Sequence, residues 1–537
     1  MKLGFSAVGS IPLLLVVAMT LAQTPGQAPG GKPAGMCSSS PPMSDPASGA
    51  HWNGWGASAA NTRFQPAARA GLTAADIPKL KLKWAFGFPN AMRSRSQPAV
   101  AGGRLFVANE TGAVYALDPK TGCTYWNFQA QGDVRTAISV GPRRGAGGAG
   151  EYTVYFADGK SNAYALDAAT GRQLWVRKVE EHPSSRITGA PALYEGRLYV
   201  PTTGVAEENT AARPDYECCT FRGSLSALDA STGEVVWKTY SIAESPKPRG
   251  KSTTGAQLWG PAGGGIWSSP TIDAKRGLIY VSTGNGYSDP PQPTTDAVIA
   301  LEIQTGKVKW MNQVTPNDVW ALGCGPTKNP NCPENVGPDF DFSASPVLAT
   351  LAIGRDLIVI PQKSGVAYAL DPDKSGALVW QYRFGRGSGI GGVWGAAADQ
   401  QQAYFAVADQ RTPMPGGLHA VRLDDGQRAW FTPPGAPLCG SGNGCSAAQS
   451  GAVTAITGVV FSGSADGGLR AYSTKDGSIL WTFDANRSFE TVNGVKANGG
   501  SMDLGGPVVV GGMLYATSGN GGLVGLPGNV LLAFGLD

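Results

Sequence analysis

The reactive side chains with the most unusual spacing in this 537-residue chain are Cys218 and Cys219, which are adjacent. Neighbouring Cα atoms lie about 3.8 Å apart, below the usual disulfide range of roughly 4.4 Å upward, so a ring joining them is strained and of a kind kept where function uses it. Two thiols that pair elsewhere or stay free are the other reading. Among the other six cysteines, Cys324/Cys332 and Cys439/Cys445 each bracket a Gly/Pro/Asn-rich stretch that a bridge would close, which leaves Cys37 for Cys123. Histidine offers little chemistry. His51, His182 and His419 are far apart and in no metal-ligand spacing, which argues against His-based zinc sites and a Ser-His-Asp triad. There is no CxxCH, hence no covalent c-type haem. Gly387-Ser388-Gly389-Ile390-Gly391-Gly392 spells GxGxxG but sits in a β meander with no following helix to receive a pyrophosphate, so nicotinamide binding is not expected.

Composition narrows the class further. With 43 Lys+Arg against 39 Asp+Glu, the formal net charge of +4 provides no basic stripe for nucleic acid. The 76 Gly and 39 Pro, beside 14 Trp, 16 Tyr and 17 Phe, suit short strands and many turns, and the aromatics exclude disorder. Lys2, the apolar run Ile11 to Ala18 and then Thr20-Leu21-Ala22 have the parts of a secretory signal over residues 1–22, followed by a Pro/Gly/Ser-rich linker over 23–50. No later segment is apolar and long enough for a membrane span, so a periplasmic protein is expected, in a compartment where disulfides persist.

A repeat organises the remainder, residues 51–537. Ala, one residue, Asp or a substitute, a Thr-Gly or Asp-Gly turn and then Trp recur as Ala116…Trp126, Ala165…Trp175, Ala227…Trp237, Ala300…Trp310, Ala369…Trp380, Ala420…Trp430 and Ala471…Trp481. An alternating apolar run precedes each copy, as in Leu198-Tyr199-Val200, so each copy predicts a small antiparallel meander whose Asp and Gly close a hairpin. Successive Trp residues stand 42 to 73 positions apart, too variable for a solenoid but natural for propeller blades carrying loops of different length. Trp84 lacks a hairpin before it and Val530–Phe534 lacks a Trp after it. Joined, they predict an eighth blade that closes an all-β, eight-bladed propeller.

An eight-fold ring of these motifs resembles the quinoprotein alcohol dehydrogenases, propellers that hold pyrroloquinoline quinone (PQQ) and Ca²⁺ on their axis; the likeness runs from about Trp52 to Asp537. Gly263-Gly264-Gly265-Ile266-Trp267 is similar to the stretch whose Trp lies flat under the quinone, and offset stacking on an indole suits such a ring. Ser282-Thr283-Gly284-Asn285 resembles the segment giving an Asn oxygen to calcium, and Thr203-Gly204-Val205-Ala206-Glu207 the one giving a Glu, with Glu207 or Glu208 in that role. Asp339-Phe340-Asp341 with the Pro-led strand after it resembles the segment that supplies the base, making Asp339 both base and metal ligand; Asp318, in Asn317-Asp318-Val319-Trp320, is the competing candidate. Lys363 falls where the family has Lys or Arg on the quinone oxygens. Thr188, Thr203, Gly204, Arg222, Cys218 and Cys219 complete the implied cofactor set. One departure stands out: methanol dehydrogenase and its kin place adjacent cysteines near what is here Arg135–Ile138, whereas the block Tyr216–Gly223 resembles the polyvinyl alcohol dehydrogenase branch.

The resemblance implies oxidation of an alcohol, secondary or polymeric such as polyvinyl alcohol. Hydride would pass from the carbinol carbon to quinone C5, Asp339 would take the hydroxyl proton, and Ca²⁺ and Lys363 would stabilise the developing charge. Electrons would then leave to a separate c-type cytochrome. The alternative is a non-enzymatic propeller of the outer-membrane assembly type, which fold alone does not separate from an enzyme.

Overall fold

The repeated Asp closes its hairpin with its own side chain. Asp118 Oδ1 accepts from the N–H groups of Lys120 and Thr121 at 3.0 and 2.8 Å, and Asp167 and Asp229 do the same in the next two copies. The computed structural model describes residues 1, 35–143, 150–325, 329–387, 394–410, 412–503, 505–521 and 525–537. The expected signal, the linker up to residue 34 and residues 388–393 of the GxGxxG stretch lie outside them.

Among the described residues the hairpins build eight antiparallel sheets of four principal strands, the blades. Blade 1 opens with Ala99–Ala101, and blades 2 to 8 open with Ser139–Pro142, Ala192–Tyr194, Thr271–Asp273, Val347–Thr350, Ala397–Ala398, Thr454–Ile456 and Val508–Val510. In blade 8 the outer strand is Lys81–Gly87, paired with Val530–Gly535, so the two ends of the ring close on each other as the repeat predicts. All four cysteine pairings expected from the sequence are present, Cys218–Cys219 included.

The Trp residues join neighbouring blades. Trp126 Nε1 donates to Ala168 O at 3.0 Å, and Trp380 and Trp430 likewise reach carbonyls one blade on. Seven of the eight indoles lie against the turn glycine of the following blade: a Cβ added at Gly171 would stand 2.7 Å from the Trp126 ring, and Gly122, Gly233, Gly306, Gly376, Gly426 and Gly477 are similarly placed, while Trp481 packs on Phe534. The glycine is therefore fixed twice, by a positive φ and by the ring on top of it.

Two N-terminal segments tie the ring together. From Gly35 to Ala50 the chain runs along blade 1, with Cys37 N–H donating to Thr124 O at 3.0 Å and Arg104 reaching Ser40 and Pro41. Residues 52–65 then form a belt inside the ring. Trp52 exchanges two hydrogen bonds with Val100, Gly54 N–H donates to Ile138 O, and Ala59, Ala60, Thr62 and Arg63 accept from Ile272, Leu348, Ala398 and Ala455. Gln65 Nε2 reaches Val509 O in blade 8. The belt's Arg63 is fully buried, and its guanidinium donates to Val453 O, Trp55 O, Gln97 and Thr454 while stacking 4.6 Å from the Trp55 ring centre. A buried charge so completely bonded fixes Trp55. No helix among the described residues is long and apolar enough to cross a membrane.

Candidate active site

In five blades the residue four positions ahead of the inner strand faces the hub. In blades 1 to 5 that position holds Arg95, Arg135, Thr188, Trp267 and Ser343, and all five line one cavity with Trp55 of the belt and Trp394 of blade 6. The lining is polarised. Arg135 stacks 4.8 Å from the Trp394 ring centre, burial pulls its guanidinium down to about 9, and burial with the nearby Arg93 lowers Arg95 as well. Two cations at the top of blades 1 and 2 that carry this desolvation cost favour an anionic guest.

Blades 4 and 5 supply the opposite charge. Lys363 Nζ donates to Asp339 Oδ1 and to Asp341 Oδ2, both at 2.7 Å. Asp341 Oδ1 accepts from the Asn285 N–H at 2.9 Å, and Gly284 is the hinge of this contact. A Cβ at Gly284 would stand 2.1 Å from Asp341 Oδ1 and 2.7 Å from Trp267 Nε1, so no other residue lets indole, amide and carboxylate approach this closely. Asp318 uses both oxygens to accept from the N–H groups of Asp339 and Phe340, at 3.1 and 2.7 Å, holding the Asp339 turn from behind. Asp339 itself has φ +64°.

Burial pushes the Asp339 carboxyl up to about 8; Lys363 pulls it down and Asp341 adds to the rise. Burial, then Asp341 and Asp339, also push Glu208 well above the carboxylate range. Asp296, which no motif singles out, is fully buried, has no hydrogen-bond partner on either oxygen among the described residues, and is pushed up by burial and then by Asp318 and Asp341. Burial disfavours the Lys363 charge, yet the surrounding carboxylates outweigh it and raise its affinity for the proton.

The two adjacent glutamates of the short helix Val205–Thr210 face different ways. Glu207 accepts from Tyr216 OH, Thr220 N–H and Phe221 N–H at 2.9, 2.9 and 2.7 Å, which ties the helix to the loop carrying Cys218 and Cys219. Glu208 is the one within electrostatic reach of Asp339, Asp341 and Lys363. Cys218 and Cys219 sit in a small apolar core with Ala211, Phe221, Ala262, Tyr287, Ala321 and Cys324. Arg222 stacks 4.0 Å from the Tyr240 ring centre and donates to the carbonyls of Ile242 and Ala243. Thr188 Oγ1 donates to the Trp267 carbonyl at 2.9 Å, and Gly204 lies under the Phe221 ring.

Two buried polar atoms beside these groups have no partner among the described residues: Asn285 Oδ1 and Trp267 Nε1. Native interiors leave few such atoms, and this set lies next to a carboxylate cluster whose one lysine does not balance it. Among the described residues no three acid, imidazole or thiol groups already meet as a metal cage. The donors on offer are carboxylates and the Asn285 amide oxygen, a hard-oxygen set suited to calcium with further ligands from a cofactor. The residues present thus fit a hard cation beside a planar, acidic ring system stacked on Trp267 and reaching towards Arg95 and Arg135.

Fold and hub together define a β-propeller of the quinoprotein type. Residues 52–383 match the family described as PQQ, glucose/ethanol/alcohol dehydrogenase, beta-propeller domain, and residues 362–530 match the family described as outer membrane protein assembly factor BamB. The polyvinylalcohol dehydrogenase of a Pseudomonas species is 47% identical over 93% of this chain and 79% of its own length. That of Sphingopyxis sp. strain 113P3 is 40% identical over the same shares. The crystal structure of quinohemoprotein alcohol dehydrogenase from Comamonas testosteroni superposes with a TM-score of 0.61 at 21% identity, covering 90% of this chain and 80% of that one, which bears on the fold. The chain belongs to the PQQ-dependent alcohol dehydrogenase family, on its polyvinyl alcohol dehydrogenase branch. It is an enzyme, and the scaffold alternative is set aside.

Proposed function

We propose that this enzyme oxidises secondary alcohols, polyvinyl alcohol included, with PQQ stacked on Trp267 and calcium held by Glu208, Asn285 and Asp339. The observation that carries this is the convergence of Trp267 Nε1, Asp341 and Asn285 around Gly284, with Lys363 joining Asp341 to Asp339. Glu208 is preferred to Glu207 because the Glu207 oxygens already accept from Tyr216, Thr220 and Phe221. The secondary or polymeric substrate is inferred from the polyvinylalcohol dehydrogenase relatives.

When bound, the quinone supplies the two-electron acceptor for the hydride of the carbinol carbon, and the cation the Lewis acidity that favours its arrival. The protein does the rest. Asp339 takes the hydroxyl proton onto a carboxylate oxygen, whose affinity for a proton burial raises. Lys363 fixes the direction of that carboxylate and offsets its charge. Asp318 orients the Asp339 turn through two backbone N–H groups. Arg95 and Arg135 would hold the acidic groups of the cofactor, Thr188 steadies the Trp267 backbone, and the belt's Trp55 is a further wall of the hub. The disulfides suit an exported, periplasmic enzyme that passes electrons to a separate c-type cytochrome.

The test is reconstitution with PQQ and Ca²⁺, followed by dye-linked oxidation across an alcohol panel that includes polyvinyl alcohol. Asp339→Asn is expected to retain PQQ while losing roughly 10²–10⁴ in turnover. Near-normal turnover would remove Asp339 from the role.

A further inference from the structure

The belt binds seven of the eight inner strands and passes blade 3 by. Between Gly54, bonded in blade 2, and Ala59, bonded in blade 4, it arches away, leaving a cavity of about 310 Å³ over the inner strand Ala192–Tyr194. That strand is half-buried along its whole length, whereas the inner strands of blades 1, 4, 6, 7 and 8 are buried throughout. Its pairing shows what faces the cavity. Tyr194 and Arg197 flank the two-residue turn Glu195-Gly196, whose φ values of +47° and +77° are those of a tight hairpin, so they form a hydrogen-bonded pair. Leu193 and Leu198 are then a non-hydrogen-bonded pair, and the Leu193 N–H and C=O point away from the sheet, towards the belt. The equivalent residue of blade 1, Val100, uses both groups to bind Trp52. Among the described residues nothing bonds either group of Leu193.

The neighbouring blade shows which chemistry fits such a pair. In blade 2 the corresponding groups of Val140 are bound by a side-chain carboxamide: Asn53 Nδ2 donates to Val140 O and Asn53 Oδ1 accepts from Val140 N–H, both at 2.7 Å. Around Leu193 the walls are Trp55, Tyr155, Tyr194 and Pro191, with Ser231 at the rim and Glu195 as the one charged lining residue. We infer that this cavity binds a small neutral primary carboxamide on an aromatic or aliphatic body, paired two-way with the Leu193 backbone as Asn53 pairs with Val140. Trp55 is also a wall of the hub cavity, so such a ligand would brace the belt beneath the cofactor. The inference does not depend on cofactor, metal or substrate.

Benzamide is the probe, added to the full-length apoprotein and followed by ligand-observed NMR, with hydrogen exchange of the belt as a second readout. Saturable one-to-one binding is expected, with exchange slowed in residues 54–60. N,N-dimethylbenzamide, which has no N–H, should bind about tenfold more weakly, the order expected for losing one or two neutral hydrogen bonds. Ser231→Phe, on an exposed turn that tolerates change, should remove binding. No saturable signal at the solubility limit, equal binding of the dimethyl compound, or undiminished binding to Ser231→Phe would each overturn the inference and leave the cavity to solvent.

Discussion

Lys363 stands 2.7 Å from Asp339, and its ammonium is the cation that the buried carboxylates of blades 4 and 5 share. Removing it leaves Asp339 and Asp341 facing each other without compensation. Breaking a buried pair from one side costs about 3–5 kcal/mol, so Lys363→Met apoprotein should melt well below the parent. Turnover of the reconstituted variant should fall by about 10² or more, and Lys363→Arg should recover part of both. An unchanged melting temperature would mean that the carboxylates take up protons instead of repelling one another.

Glu207 and Glu208 are neighbours in sequence with opposite duties, and isosteric variants separate them. Glu208→Gln should raise the calcium concentration needed for PQQ retention by tenfold or more, an effect of about 1.4 kcal/mol, while leaving thermal stability of the apoprotein equal or higher, because a carboxyl whose charge is disfavoured by burial and then by Asp341 and Asp339 is replaced by a neutral amide. Glu207→Gln should do the reverse: one of the two acceptor oxygens becomes an NH2 facing either the Thr220 or the Phe221 N–H, which lowers apoprotein stability. Calcium titrations monitored by quinone absorbance, beside melting curves, check both. A calcium effect confined to Glu207→Gln would exchange the two assignments.

The blade count was readable because each copy encodes its own hairpin: an Asp that bonds the turn, a glycine and a Trp are local requirements repeated at recognisable intervals. The closure of blade 8 was readable for the same reason, since Trp84 and Val530–Phe534 were each half of a copy. The hub was less so. Arg95 and Arg135 line it from the same position, four residues ahead of their inner strands, a signal that appears only after the strand starts are fixed, and Trp394 stands one residue off that register. Asp296 carries no such signal, because its partners Asp318, Asp339 and Asp341 come from other loops, the nearest of them 22 residues on in the chain. The opposite orientations of Glu207 and Glu208 depend on a loop that returns from Tyr216, and adjacency alone does not resolve that.

The blade interfaces make a controlled test of why the turn residue is glycine. Gly171 has φ +75° and lies under Trp126, whereas Gly103 has φ +79° and open space around it. Gly103→Ala should cost about 1–2 kcal/mol, the conformational penalty alone. Gly171→Ala bears the same penalty and in addition drives a methyl into a rigid ring, so it should cost about 1–3 kcal/mol more. Urea unfolding of the two variants measures the difference directly. Equal costs would show that the turn, and not the indole, selects the glycine.

Asp503 gives the enzyme a pH signature that is independent of its chemistry. The residue is buried, one carboxylate oxygen has no partner among the described residues, and burial pushes its carboxyl up to about 6, with Asn520 and Arg95 pulling the other way. A folded value raised above the unfolded one, near 3.9, means that this group's contribution is fully present below about pH 4 and is lost as pH rises through 6. Two pH units correspond to roughly 2–3 kcal/mol. Asp503→Asn apoprotein should therefore match the parent near pH 4 and exceed it by about that amount at pH 7.5, because the amide never has to ionise in the interior. Denaturant unfolding at the two pH values is the measurement; a difference that stays constant between them would show that Asp503 ionises freely in the folded protein.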